Sequence, residues 1–116
     1  MSFWFILSRT SKINEDGVGD LHSTDLEFWA KLAKEKPVNA VCTQTFGTKG
    51  DAYLLIDLLG FEFEKYINSF APDAVVCAWG KRLASINKHL QCEYVGNLAY
   101  IFIKLGERGI GLWLSW

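Results

Sequence analysis

The chain has 116 residues, half of them hydrophobic and 15% aromatic, with 12 basic side chains against 13 acidic ones. That hydrophobic content excludes a disordered chain, which needs low hydrophobicity and high charge. The near-neutral total gives no cationic surplus of the kind that drives nucleic-acid binding. The length suits one domain, residues 1–116, able to bury roughly two thirds of the surface its unfolded form exposes. Three widely spaced cysteines, Cys42, Cys77 and Cys92, form no CxxC pair. An odd, sparse set is not a disulfide framework, so a cytoplasmic protein with reduced thiols is expected.

Residues 2–8 (SFWFILS) run without a charged residue. Such a run predicts a central strand buried on both faces, and it is far shorter than the ~20 apolar residues that span a bilayer. Arg9 to Asp20 is polar, with Asp16-Gly17 and Gly19, and predicts a loop. Thr24 and Glu27 match a capping box, opening a helix over 25–35. Leu26, Trp29, Ala30 and Ala33 line its inner face, Phe28 and Leu32 widen it, and Pro37 stops it.

Val38–Phe46 alternates and is rich in β-branched residues, which predicts one strand. Leu55, Leu59, Phe63, Tyr66 and Phe70 recur at helical spacing, with Gly60 as a weak point. Asp73–Trp79 fits a buried strand. Val76, Trp79, Leu83, Ile86 and Leu90 fit instead one helix from Asp73 to Leu90, weakened near Gly80. Period alone does not separate the two, and the helix is slightly favoured. Cys92–Asn97 reads as a short strand or turn. Leu98–Leu105 and Ile110–Trp116 are strand-like, and Gly106–Gly109 between them predicts a hairpin. The resulting class is α+β: a sheet containing the N-terminal strand and a C-terminal β-hairpin, packed by about three helices.

The motifs that carry chemistry fail on their own terms. Lys12 to Ser23 places Asn14, Asp16 and Gly17 as in a calcium loop, but Lys12 and Ser23 hold the positions that require carboxylates. Gly17-Val-Gly19 lacks the third glycine of a dinucleotide fingerprint, and neither Gly47–Gly50 nor Gly106–Gly109 ends as a P-loop does. A cysteine nucleophile needs a cation or imidazole beside it. Cys42 and Cys77 lie among apolar neighbours that predict burial, and His22 and His89 are expected to face water. No catalytic residue, metal site or cofactor is assigned.

Charge is unevenly spread. Residues 1–80 carry 7 basic and 11 acidic side chains, residues 81–116 carry 5 and 2. Glu15, Asp16, Asp20, Asp25 and Glu27 form an acidic stretch with no base after Lys12. It is the candidate partner-binding surface, since charge complementarity speeds encounter with a cationic groove. The alternative is a helix-dipole role for Asp25 and Glu27. Asp57, Glu62 and Glu64 make a second, lesser patch. Trp29 and Trp79 fit core faces, and one of Trp113 and Trp116 is expected outside the core. A C-terminal edge strand would also allow pairing with a second copy.

In size, cytoplasmic character, aromatic richness and this acidic stretch, the chain resembles small bacterial toxin-immunity proteins of the contact-dependent-inhibition and polymorphic-toxin type. The resemblance implies a non-catalytic protein that neutralises one cognate toxin domain by direct binding, a nuclease among the candidates. The partner expected is therefore a protein, not nucleic acid or membrane. Two other readings stay open: a homodimeric interaction domain or phage-encoded inhibitor of a host system, and a small cysteine- or carboxylate-dependent enzyme.

Overall fold

The central strand of the sheet is β1 (Trp4–Ser8), as the uncharged run predicts. The computed structural model describes residues 2–38, 40–42 and 44–116, with residues 40–42 described by their backbone. After β1 come α1 (Ser23–Glu35), β2 (Ala40–Cys42), β3 (Thr45–Phe46), α2 (Lys49–Leu59) and α3 (Phe61–Glu64). They are followed by β4 (Phe70–Ala71), α4 (Asp73–Leu90), α5 (Glu93–Glu107) and β5 (Gly111–Ser115). The five strands are ordered β2-β3-β1-β5-β4, every neighbouring pair antiparallel. The class is α+β.

Strand alternation divides the sheet into two unlike faces. Phe5 lies opposite Leu114 and Phe46, and these residues, with Phe3, Leu7 and Leu112, are wholly buried. On this face Phe5 meets Phe102 of α5 and Phe63 of α3, and Phe46 meets Trp29 of α1. Trp79 of α4 joins through Phe63 and Phe102. Ile6 lies opposite Trp113 and Thr45, and Trp113 lies opposite Phe70, so these four share the other face. All four are half-buried. The expectation of a strand buried on both faces is therefore corrected: the face of Phe3, Phe5 and Leu7 is buried, and the face of Trp4 and Ile6 only half-buried.

The C-terminal hairpin is not present. Leu98–Leu105 lies on α5, and Gly106–Gly109 is the end of that helix. Val95, Leu98, Ala99, Phe102, Leu105 and Gly106 are buried at spacings of three and four, the pattern of a broad helix face. Gly109 takes φ 87°, and the Ile110 amide reaches back to the Leu105 carbonyl at 3.0 Å, closing the helix with a left-handed residue. Gly111–Ser115 then pairs with β1, not with the segment before it. Among the described residues there are five helices where about three were expected.

The ambiguity at residues 73–80 resolves as helix, continuous from Asp73 to Leu90. Gly80 does not break it. A Cβ there would stand 2.7 Å from the Ile103 backbone nitrogen and 2.8 Å from the Ala99 carbonyl. One added at Gly106 would stand 2.5 Å from Cys77 Cβ and 2.7 Å from the Asp73 carbonyl. The two glycines thus let antiparallel α4 and α5 approach backbone to backbone. Gly80→Ala is expected to cost about 1–3 kcal/mol by forcing the helices apart. Gly50→Ala, where the nearest atom is Thr48 Oγ1 at 3.5 Å, should be neutral or slightly stabilising. Urea unfolding of the two variants checks the contrast.

Two further expectations are corrected. Val38–Phe46 forms two short antiparallel strands, β2 and β3, rather than one, with Asn39 and Thr43 outside the described residues. The helical run from Asp51 is cut at Gly60, whose φ of 67° ends α2 and starts the single turn of α3. Asp51 caps α2 from within: its carboxylate accepts from the Thr48 amide at 2.7 Å, and the Tyr94 hydroxyl of α5 donates to it as well. Among the described residues no helix is long and apolar enough to cross a membrane.

Candidate docking surface

The polar segment between β1 and α1 is a folded loop. Ser8 Oγ, wholly buried, donates to the Thr10 carbonyl at 2.6 Å and accepts from the Asp20 amide at 2.9 Å. It thereby holds both arms of the loop against the end of β1. The Arg9 amide donates to the Asp20 carbonyl at 2.8 Å, and Ile13 and Gly19 form an antiparallel bridge. At the tip, Asn14 Oδ1 accepts from the Asp16 and Val18 amides, an Asx turn that frees Gly17 to take φ 76°. Gly19 lies so close to β1 that a Cβ would stand 2.0 Å from the Leu7 carbonyl. Backbone pairing and side-chain bonds together fix where Glu15, Asp16 and Asp20 project.

The five acidic residues of the expected patch do not share one fate. Glu15, Asp16, Asp20 and Glu27 are exposed. Asp20 accepts from the Thr10 hydroxyl at 3.1 Å. Asp25 is fully buried. Arg9 Nε and Nη2 donate to its two oxygens at 2.7 and 2.8 Å, Arg108 Nε donates at 2.8 Å, and the His22 amide donates at 3.0 Å. The Arg9 hydrogen bonds, helped by Arg108 and the His22 amide, hold the Asp25 carboxyl well below the usual carboxylate range against the opposing effect of burial. The same pairing raises the Arg9 guanidinium above its ordinary value.

Asp25 is accordingly removed from the candidate surface. It is the internal anchor that ties the end of β1 to the start of α1 and the end of α5. Its position also moves the helix cap. Asp25 takes the His22 amide, so α1 opens at Ser23 rather than through a Thr24–Glu27 box. Arg108 completes the arrangement by stacking 4.5 Å over the Phe28 ring. Neither arginine drew attention in the sequence, because Arg108 lies 83 residues from its partner.

Beside the loop, the open face of the sheet is apolar. Ile6, Ile13, Gly17, Asn68, Trp113 and Ser115 line a groove of 390 Å³ between loop and sheet. The Trp113 indole donates to the Ser11 carbonyl at 3.1 Å, fixing the ring and tying the loop down. An antiparallel sheet covered on one side ordinarily shows polar side chains on the other. Here Trp4, Ile6, Phe70 and Trp113 stand in those places. The signal was available in β1, where Trp4 and Ile6, two of the three alternate positions, are apolar.

The remaining sequence candidates stay dispersed. Trp116 packs edge-on against Phe3 and Tyr53, so Trp113 is the tryptophan that leaves the core. His22 and His89 are exposed, and Cys77 and Cys92 are half-buried, so the burial expected of Cys77 is partial. The side chain of Cys42 lies outside the described residues. Among the described residues no three His, Cys, Asp or Glu side chains gather as a metal site. Asp57, Glu62 and Glu64 are exposed, Glu62 pairing with Lys65 at 3.1 Å. Strand β5 is not an edge: β1 flanks it on one side and β4 on the other, so the expected pairing of a second copy along it is blocked over Leu112 and Trp113. Comparison with protein-family models, with curated proteins and with solved structures finds no match.

Proposed function

We propose that this chain is a non-catalytic, cytoplasmic binding protein of the toxin-immunity type, which neutralises a cognate toxin domain by occluding it. The observation that carries the reading is the acidic loop. Glu15 and Asp16 are exposed at its tip and Asp20 on its returning arm, and the hydrogen bonds around Ser8 and Asn14 hold the backbone in place. A pre-folded anionic surface loses little freedom on association and steers a cationic partner toward it. Glu27, exposed on the second turn of α1, adds to the same sign of charge. Asp25 takes no part in contact and keeps the loop and α1 in register.

The test is association with the product of the adjoining gene. The two proteins should form a stable complex, and the chain should protect cells that produce the partner. Changing Glu15, Asp16 and Asp20 together to lysine should slow association at low salt by about tenfold or more, with most of the difference lost at high salt. An unaltered rate would remove the acidic loop from the mechanism. Absence of any complex and of protection, with the chain sedimenting at twice its mass, would favour a homodimeric interaction domain instead.

A further inference from the structure

We infer that the open face of the sheet is the apolar half of the docking surface, and that it receives a partner segment bearing a large apolar side chain flanked by arginine or lysine. The inference rests on the reading that the acidic loop binds a protein. Its own support is the juxtaposition of two chemistries at one groove. Gly17 forms part of the wall, and the exposed carboxylates of Glu15 and Asp16 immediately precede it. The floor is Ile6 beside Trp113, directly paired across strands, with Ile13 folded over from the loop. Asn68 and Ser115 supply the polar rim.

This is the anatomy of a contact with an aromatic centre and a polar border, with the acidic turn of the loop next to one wall. At 390 Å³ the groove falls near the lower end of the ~300–1,000 Å³ found for ligand-holding clefts, enough for one bulky side chain. Trp113 is held by its indole hydrogen bond to Ser11, so it offers contact area with little ordering on binding. Charge selects the occupant. A second copy packed by twofold symmetry would bring this patch against itself, carboxylates included. A segment with a basic residue beside its apolar anchor meets the acidic turn at the Gly17 wall with opposite sign.

The experiment is a titration of the isotope-labelled protein, followed by nuclear magnetic resonance, with the amidated peptide RLWLR and its counterpart ELWLE. RLWLR should shift the Trp113 indole and Gly17 amide resonances with a dissociation constant below about 1 mM, and ELWLE should not. Trp113→Ser and Asp16→Lys should each weaken the effect at least fivefold. Ile6→Ser replaces the first variant if it fails to fold. Equal binding of both peptides, shifts confined to other surfaces, or no binding of RLWLR overturns the inference. So does a Trp113 shift that grows with protein concentration alone, which assigns the face to a second copy. The two readings fail separately. If reversal of the loop charges slows association with the adjoining gene's product while Trp113→Ser leaves that complex unweakened, the groove inference falls and the binding reading stands. If RLWLR seats in the groove but that product forms no complex, the immunity reading falls alone.

Discussion

Phe5→Ala is expected to lower the unfolding free energy by about 3–5 kcal/mol, as loss of a buried ring leaves a cavity that the surroundings fill only in part. Phe5 is wholly buried in the central strand. Its ring centroid lies 4.9 Å from Phe3, 4.7 Å from Phe46, 5.6 Å from Phe102 and 6.2 Å from Phe63, so one truncation strips contact from four rings. Gly47 leaves little room for collapse: it takes φ 111°, and a Cβ there would already stand 2.9 Å from the Phe5 ring. A domain of this size holds only about 5–15 kcal/mol in total, so the variant should melt well below the parent or fail to fold. Phe5→Leu, which keeps most of the volume, should cost under half as much. Thermal unfolding followed by circular dichroism distinguishes the two, and equal losses would show that the ring cluster carries no special weight.

Asp25→Ala has the second large effect. Removing the carboxylate leaves Arg9 and Arg108 facing each other with their shared counter-ion gone, and breaking such a buried set costs about 3–5 kcal/mol. Both guanidiniums retain some access to water, at 25% and 32% exposure, which places the cost in the lower half of that range. Asp25→Asn keeps the shape and an acceptor for the His22 amide, so it should lose less than the alanine variant. The pH dependence follows from the depressed carboxyl. Its contribution is complete above the ordinary carboxylate value of 3.8 and declines as acid is added below that point, because the unfolded chain then binds the proton first. The stability difference between parent and Asp25→Asn should therefore be flat near neutrality and shrink on acidification below about pH 4. A difference that instead grew toward acid would contradict the ion pair. Lysine at Glu15 or Asp16 should leave stability within about 0.5 kcal/mol of the parent, as for other exposed positions.

The contrast between Asp25 and its neighbours shows where sequence reading stops. Five carboxylates in one short stretch look alike along the chain. What separates Asp25 is an arginine near the start of the chain and another near its end, a pairing set by topology and not by spacing. The helix α1 was legible because its stop at Pro37 and its apolar face are local, whereas its cap, formed by His22 and Asp25 rather than Thr24 and Glu27, was misplaced. Its inner face was legible at Trp29 and Leu32, whereas Ala30, placed inside by the pattern, is exposed. The helix α5 was misread because Tyr100, Ile101, Phe102 and Ile103 all have strand-forming side chains. Tertiary packing against α4 outweighs that preference, and Gly80 and Gly106 are the residues that permit it. The helical spacing emerges only when the run is started at Glu93, including Val95, rather than at Leu98. The open sheet face was half legible. One of Trp113 and Trp116 was expected to leave the core, but which one, and the pairing of Trp113 with Ile6 and Phe70, depends on a register that no local pattern specifies.

The pairing of β1 with β5 imposes an order of events on the newly made chain. Trp4 meets Ser115 and Ser8 meets Gly111, so the middle of the sheet joins segments about as far apart in sequence as this chain allows. Closing so long a loop comes at an entropic disadvantage that only late, cooperative contacts offset. During synthesis Phe3, Trp4 and Phe5 emerge well before β5 and wait for it while the α4–α5 pair, local in sequence, forms without them. A sticky aromatic segment thus lacks its β5 neighbour until Gly111–Ser115 has been made. Slowing translation between α5 and β5 should lower soluble yield more than slowing it before β1, and a separately supplied β5 peptide should restore part of the yield of a chain shortened before Gly111.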